Sequence, residues 1–334
     1  MPAAIEEYGQ RGQPLELDDL VGGERPRVIR GLCRDWPLVG WARQSDTALA
    51  QGLAAWDNGS DVDALLMAPA EGGVIGYNSA FDGFNYQHHR VSVTQVLQRL
   101  AACSRLPDPP GLALQSALIA ECLPGFLEHH ALAFLDPQVQ PRLWIGNRVT
   151  TPVHFDEYAN IACVVGGSRR FTLFPTDQVR NLYIGPLDFA PTGAAISLAR
   201  LDHVDDPRFP RLREALTHAQ VAELQPGDAI YIPPLWWHHV ESLQPLNALV
   251  NYWWIPGSGR GRAMPTALDG LLHAIRSFKS LDPADRAAWR TLLEHYVFGE
   301  EDPAAHIPAS ARGVLGPLTP ARAEQLKEMI RRYL

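Results

Sequence analysis

Residues 142–174 read RLWIGNRVTTPVHFDEYANIACVVGGSRRFTLF. Short β-branched and aromatic runs are separated here by Gly, Pro, Asn and Asp, the punctuation of strands rather than of helices. Downstream, DAIYIP, HVESL and ALVNYWWI carry the same texture to residue 255. Regular short strands over this length imply a sandwich or jelly roll. Composition agrees: 28 Pro and 27 Gly among 334 residues cut the chain often, and 9 Trp demand deep packing.

Upstream, PRVIRGLCRDWPLVGW (26–41) reads as a short strand, a Gly turn and a Trp-Pro stop. Helices are predicted over 45–56 and 91–102, the second with Val91, Val93, Val96, Leu97 and Leu100 on one stripe. Between them, VIGYNSAFDGFNYQHHR (74–90) alternates aromatic and turn residues, as an edge hairpin beside a cleft would. Segment 176–225 breaks the strand rhythm with several prolines and one helix near 208–218. It reads as a long excursion over the barrel mouth.

The last 70 or so residues return to helix. Asp282-Pro283 and Thr319-Pro320 mark helix starts and Gly299 a stop. Trp289, Leu292, Leu293, Tyr296 and Val297 form one apolar stripe, and Leu326, Met329, Ile330 and Tyr333 another. The predicted architecture is mainly β: a jelly-roll core (142–262) on an α+β scaffold (1–141), together one domain (1–262), then a helical extension (263–334). Stripes of this width, left uncovered, favour pairing with a second copy.

Lys plus Arg is 29 against 37 Asp plus Glu, a net charge of −8, which gives no basic field for a phosphate backbone. Nucleic acid is thereby excluded as a general partner. Cys33, Cys103, Cys122 and Cys163 lie far apart with no CxxC pair, so neither a zinc ribbon nor a disulfide framework is expected. No apolar h-region opens the sequence and no run approaches membrane-spanning length, so a soluble cytoplasmic protein without a membrane partner is expected.

His154-Phe155-Asp156 follows a strand, and residues two apart in extended backbone point to one side, so imidazole and carboxylate can converge. Alone the triplet is weak. Further on, PGDAIYIPPLWWHHVESL (226–243) feeds a strand ending at His238 and His239. Two histidines and one carboxylate with open positions make the facial triad of non-haem Fe(II) oxygenases.

TPVHFDEYAN, GGSRRFTLFPTDQ, PGDAIYIPPLWWHHVESL and NALVNYWW, in this order, resemble the JmjC-type and cupin-like Fe(II)- and 2-oxoglutarate-dependent oxygenases. The likeness is greatest to their asparaginyl hydroxylase branch, which inhibits hypoxia-inducible factor. It spans most of the chain, and PRVIRGLCRDWP looks like the family's opening strand. The resemblance implies a double-stranded β-helix core using Fe(II), 2-oxoglutarate and O₂ to hydroxylate a C–H bond.

By position, the resemblance makes His154, Asp156 and His238 the iron ligands, with His239 turned away. Thr151 matches a hydroxyl and Arg169 the cation for the inner carboxylate of 2-oxoglutarate, where the branch has Lys. A guanidinium can hold that carboxylate by two parallel bonds. Asn160 and Asn251 match amides near the iron-bound carboxylate, Gln115 matches a co-substrate contact, and Trp253 an aromatic on the substrate side. Ala113 stands where the family has a tyrosine, with Tyr77 or Tyr86 as candidate replacements. The implied substrate is a protein side chain, and the implied assembly a homodimer through the C-terminal helices. The rivals are the same chemistry on a small molecule or nucleoside, and a cupin-like binding protein without turnover.

Overall fold

The computed structural model describes residues 2–9, 15–255 and 267–332, in two compact units, Met1–Ala263 and Met264–Leu334. The expected boundary at 262/263 lies outside the described residues. The first unit opens with β1 (Ala3–Ala4), α1 (Leu17–Gly22), β2 (Arg27–Ile29), α2 (Pro37–Gln44) and α3 (Asp46–Trp56). Then come β3 (Val62–Met67), β4 (Tyr86–Val91), α4 (Val93–Cys103), β5 (Gly111–Leu118) and α5 (Ile119–Cys122). The remainder is β6 (Pro141–Gly146), β7 (Thr150–His154), β8 (Ala159–Gly166), β9 (Arg169–Phe174), α6 (Leu212–Thr217), β10 (Gln220–Leu224), β11 (Ala229–Ile232), β12 (Trp237–Ser242) and β13 (Asn247–Trp254).

Two sheets result, one ordered β1-β10-β9-β12-β7 and the other β2-β11-β8-β13-β6-β5-β3-β4. From β7 to β13 the chain passes repeatedly between them, the winding of a double-stranded β-helix. Side-chain alternation builds the layers. On β8, Ala162 and Val164 face between the sheets, where they join Phe171, Leu173, Ile230 and Leu249. Ile161, Cys163 and Val165 face the other way, onto a layer containing Leu38 and Val39 of α2, Leu49 and Leu53 of α3 and Val96, Leu97 and Leu100 of α4. Both faces of β8 are covered, which is why it reads as one apolar run.

RLWIGNRV is not strand throughout: β6 ends at Gly146, and β7, in the other sheet, begins only at Thr150. Asn147 makes the break: its Oδ1 accepts from Leu112 N–H and its Nδ2 donates to the Pro110 carbonyl. At the β8–β9 turn Gly167 has φ +67°, and a Cβ there would lie 2.4 Å from the Leu246 carbonyl oxygen. Only glycine fits the turn that delivers Arg169.

The 176–225 excursion differs from expectation. Leu182, Ala215 and Ala219 pack on Val153, Phe174 and Trp237, covering the outer face of the five-stranded sheet. Ser197 N–H donates to the Val153 carbonyl at 2.7 Å along the β7 edge. The side chains it covers there, Val153, Phe174 and Trp237, are apolar, and burying them is favourable.

The second unit holds α7 (Ala267–Phe278), α8 (Pro283–Leu293) and α9 (Pro320–Arg331). Asp282 occupies the N-cap position of α8 without a side-chain cap bond, whereas Thr319 Oγ1 accepts from Arg322 N–H at the start of α9. A π-turn over Glu294–Phe298 follows α8, so Tyr296 and Val297 leave the helical register of Trp289 and Leu292. Tyr333 lies outside the described residues.

Candidate metal centre

A β-bulge positions the first histidine. His238 pairs with His154 and Val240 with Thr151, so β12 advances two residues while β7 advances three. The extra residue lets both Thr151 and His154 face the interior beside His238. Asp156 is placed differently from expectation, because β7 ends at His154. Its backbone carbonyl accepts from Leu235 N–H at 2.9 Å, and its Oδ2 accepts from the Trp253 indole N–H at 3.1 Å. One ligand atom each from His154, Asp156 and His238 lies within 4.8 Å of the others. Among the described residues no other group of His, Cys, Asp or Glu converges this way.

Both histidines carry the tautomer a metal needs. Nδ1 of His154 lies 2.8 Å from the Pro152 carbonyl, and Nδ1 of His238 lies 3.0 Å from that of Trp236. A carbonyl only accepts, so each Nδ1 is protonated and each Nε2 offers its lone pair. Burial, reinforced by neighbouring His238, holds the His154 imidazole well below its usual range and keeps it neutral. Burial also raises the Asp156 carboxyl, against the opposing pull of His238 and Trp253. Two Nε2 donors and one carboxylate oxygen on one side suit a divalent cation that keeps open positions.

Arg169 enters the interior from β9 on the same side as Phe171 and Leu173, while Arg170 points outward to Glu223 and Glu241. Arg169 is 8% exposed, and its buried Nε has no hydrogen-bond partner among the described residues. Burial without a carboxylate lowers its guanidinium to about 10. A buried cation lacking its counterion fits a co-substrate with an inner carboxylate.

Asn160 and Asn251 are buried and linked, Asn251 Nδ2 to Asn160 Oδ1 at 3.2 Å. Trp144 Nε1–H donates to Asn251 Oδ1 at 2.7 Å. An indole can only donate, which fixes the polarity of both amides and leaves Asn160 presenting its N–H donors. Sequence reading missed Trp144 and Arg142. The signal was a charged and a polar-tipped residue alternating with Leu143 and Ile145 on one strand.

The other predicted residues are placed as follows. Gln115 is half-buried on β5, beside Ser116 at φ +49°. Ala113 and Tyr86, on β5 and β4 either side of β3, belong to one apolar cluster with Met67, Ile75 and Val149. Tyr77 is committed elsewhere, its hydroxyl donating to the Phe189 carbonyl at 2.7 Å. His239 faces away from the triad, yet it is buried and its Nδ1 has no hydrogen-bond partner. Burial pushes this imidazole down to about 4. Trp253 packs edge-on against Trp144, with centroids 5.9 Å apart, and under the Arg142 guanidinium.

A jelly roll with two histidines and a carboxylate gathered inside defines the cupin-like class of proteins. Residues 13–259 match the Cupin-like domain family, and the chain belongs to it. It is similar to HSPB1-associated protein 1 of Homo sapiens, 35% identical over 113 residues, which are 33% of this chain and 22% of that protein. It also resembles Jumonji C domain-containing protein 5 of Drosophila melanogaster, 36% identical over 117 residues, 35% of this chain and 28% of that one. Lysine-specific demethylase JMJ31 of Arabidopsis thaliana is 29% identical over 132 residues, 39% of this chain and 22% of that one. The chain thus spans less than a third of the length of each of these relatives. No helix among the described residues is long and apolar enough to cross a membrane.

Proposed function

We propose that the protein is an Fe(II)- and 2-oxoglutarate-dependent oxygenase that hydroxylates a C–H bond of a protein side chain. The observation that carries this is the joint presence, between the sheets, of two Nε2 donors beside Asp156 and a buried Arg169 whose Nε has no partner among the described residues. His154, Asp156 and His238 would hold the iron. Bound iron supplies oxidation of the substrate by O₂, coupled to decarboxylation of 2-oxoglutarate to succinate and CO₂. Arg169 and Thr151 would bind the inner carboxylate, Asn160 would orient the carboxylate at the metal with its amide N–H, and the packed interior would exclude water. Gln115 and Asn251 support that pocket.

The preference for a protein substrate rests on the relatives, one named for association with HSPB1 and one as a lysine-specific demethylase. A methylated lysine as target is the second reading, favoured by the latter name. Four buried free cysteines suit a cytoplasmic location. We further infer a homodimer through the C-terminal unit, where Trp289, Leu292 and Met329 are each more than 40% exposed.

The test titrates metal-free protein with Fe(II) and 2-oxoglutarate under argon, then admits O₂ and follows succinate. Succinate that depends on both additions is expected. Stoichiometric binding of both without succinate would make the chain a binding protein.

A further inference from the structure

Asp156 would meet a metal from a loop, where no strand ladder fixes its side chain. A carboxylate free to rotate can swing off the metal or chelate it through both oxygens, and the second arrangement takes a position that a co-substrate needs. We propose that Trp253 is a positioning residue of the metal centre. Its indole N–H pins the Asp156 carboxylate so that the metal is met through one oxygen and the remaining positions stay open. The inference rests on the metal-centre reading above, and deepens it.

The geometry supports this at three points. First, the indole N–H to Asp156 Oδ2, at 3.1 Å, is the side-chain hydrogen bond that this carboxylate makes among the described residues. His238 Nε2 stands 3.6 Å from the same oxygen, so the pinned oxygen lies on the metal-facing side. Second, an indole donates without accepting and carries no charge. It holds the carboxylate without competing for the metal, and it leaves the negative charge undiminished, as an arginine or lysine partner would not. Third, Trp253 is itself fixed. It sits on β13 opposite Asn160, with Trp144 edge-on at 90° and the Arg142 guanidinium 5.9 Å from its ring centre. Arg142 is anchored in turn, its Nη1 donating to the Ser116 carbonyl at 2.8 Å. The substrate-side role that resemblance gives Trp253 can use its ring, but its one polar atom is spent inward.

The test compares the full-length wild type with Trp253→Phe and Trp253→His, using Co(II) under argon as the probe and no co-substrate. Phe keeps the ring and deletes the donor, whereas the His ring can still donate. Partners of metal ligands typically carry about 10–100-fold in metal affinity. Trp253→Phe should weaken Co(II) binding within that range, with an unchanged thermal midpoint in the metal-free state. It should also alter the visible Co(II) spectrum, since an unpinned carboxylate changes the coordination. Trp253→His should recover part of both. Wild-type affinity and spectrum in Trp253→Phe would overturn the role of the indole while leaving the metal centre standing. Equal losses in Trp253→Phe and Trp253→His would also overturn it, because packing and not the donor would then matter. Failure of the wild type to take up Co(II) would overturn both readings.

Discussion

Arg169 is where stability and binding oppose each other. A buried guanidinium whose Nε has no hydrogen-bond partner among the described residues destabilises the metal-free fold, and exchanging buried charge for a well-packed apolar side chain is neutral or stabilises by roughly 1–4 kcal/mol. Arg169→Met should therefore raise the thermal midpoint of the metal-free protein. The same change should raise the apparent KM for 2-oxoglutarate at least tenfold, since a charge-assisted contact is worth about 1.5–3 kcal/mol and ~1.4 kcal/mol is tenfold. Arg170→Ala, whose cation faces Glu223 and Glu241 outside, should leave KM unchanged. A lower midpoint in Arg169→Met would show that the guanidinium is satisfied. The two adjacent histidines separate in the same way: His238→Ala should abolish succinate formation and His239→Ala should preserve most of it. The reverse outcome would mean that β12 is out of register by one residue.

At the scale of elements, two devices decide where side chains arrive. One is the β7 bulge: in a regular strand Thr151 and His154, three residues apart, would face opposite sides, and the extra residue brings both inside. The other is His130, which serves as the cap that Trp36 cannot provide to α2. Its Nε2 accepts from Leu38 N–H at 3.2 Å, and its Nδ1–H donates to the Phe126 carbonyl at 2.8 Å. Acceptance at Nε2 requires a neutral ring, and burial lowers this imidazole to about 4. The unfolded chain protonates it near 6.5 and the folded one does not, so its contribution is intact above pH 6.5. It falls by about 1.4 kcal/mol per pH unit as pH drops towards 4. Denaturant titrations at pH 7 and pH 5 should show a larger loss for the wild type than for His130→Gln, and equal losses would remove His130 from the account. Sequence reading found the strands, α3, α4 and the His154–Asp156 pair because alternation, caps and short spacing are local, whereas His238 was reached through the family resemblance. The bulge, His130 and Trp144 escaped it because each acts across the fold: His130 is 92 residues from Leu38, and Trp144 is 107 from Asn251. The excursion was misplaced for the same reason, since what it covers is set by the outer face of another segment's sheet.

At the scale of the whole molecule, assembly turns on the C-terminal unit. Its helices expose large side chains that an isolated soluble unit would bury: Trp289 is 44%, Leu292 44%, Ile275 37% and Met329 47% exposed. Phe278 and Trp289 stack with centroids 5.2 Å apart, joining α7 and α8 into one apolar surface rather than two separate stripes. Contiguous apolar surface of this kind marks an association site, and a two-fold pairing of identical patches is the commonest closed solution. The homodimer proposal therefore predicts a solution mass of twice the 36.9 kDa chain by light scattering at micromolar concentration. In the double variant Trp289→Asp, Leu292→Asp the exposed face acquires two charges that would be desolvated in an interface, so the mass should fall to that of one chain. Co(II) uptake by the first unit is the control, because His154, Asp156 and His238 all belong to it. A monomeric wild type would end the dimer proposal, and a dimer that persists in the variant would place the interface away from α8.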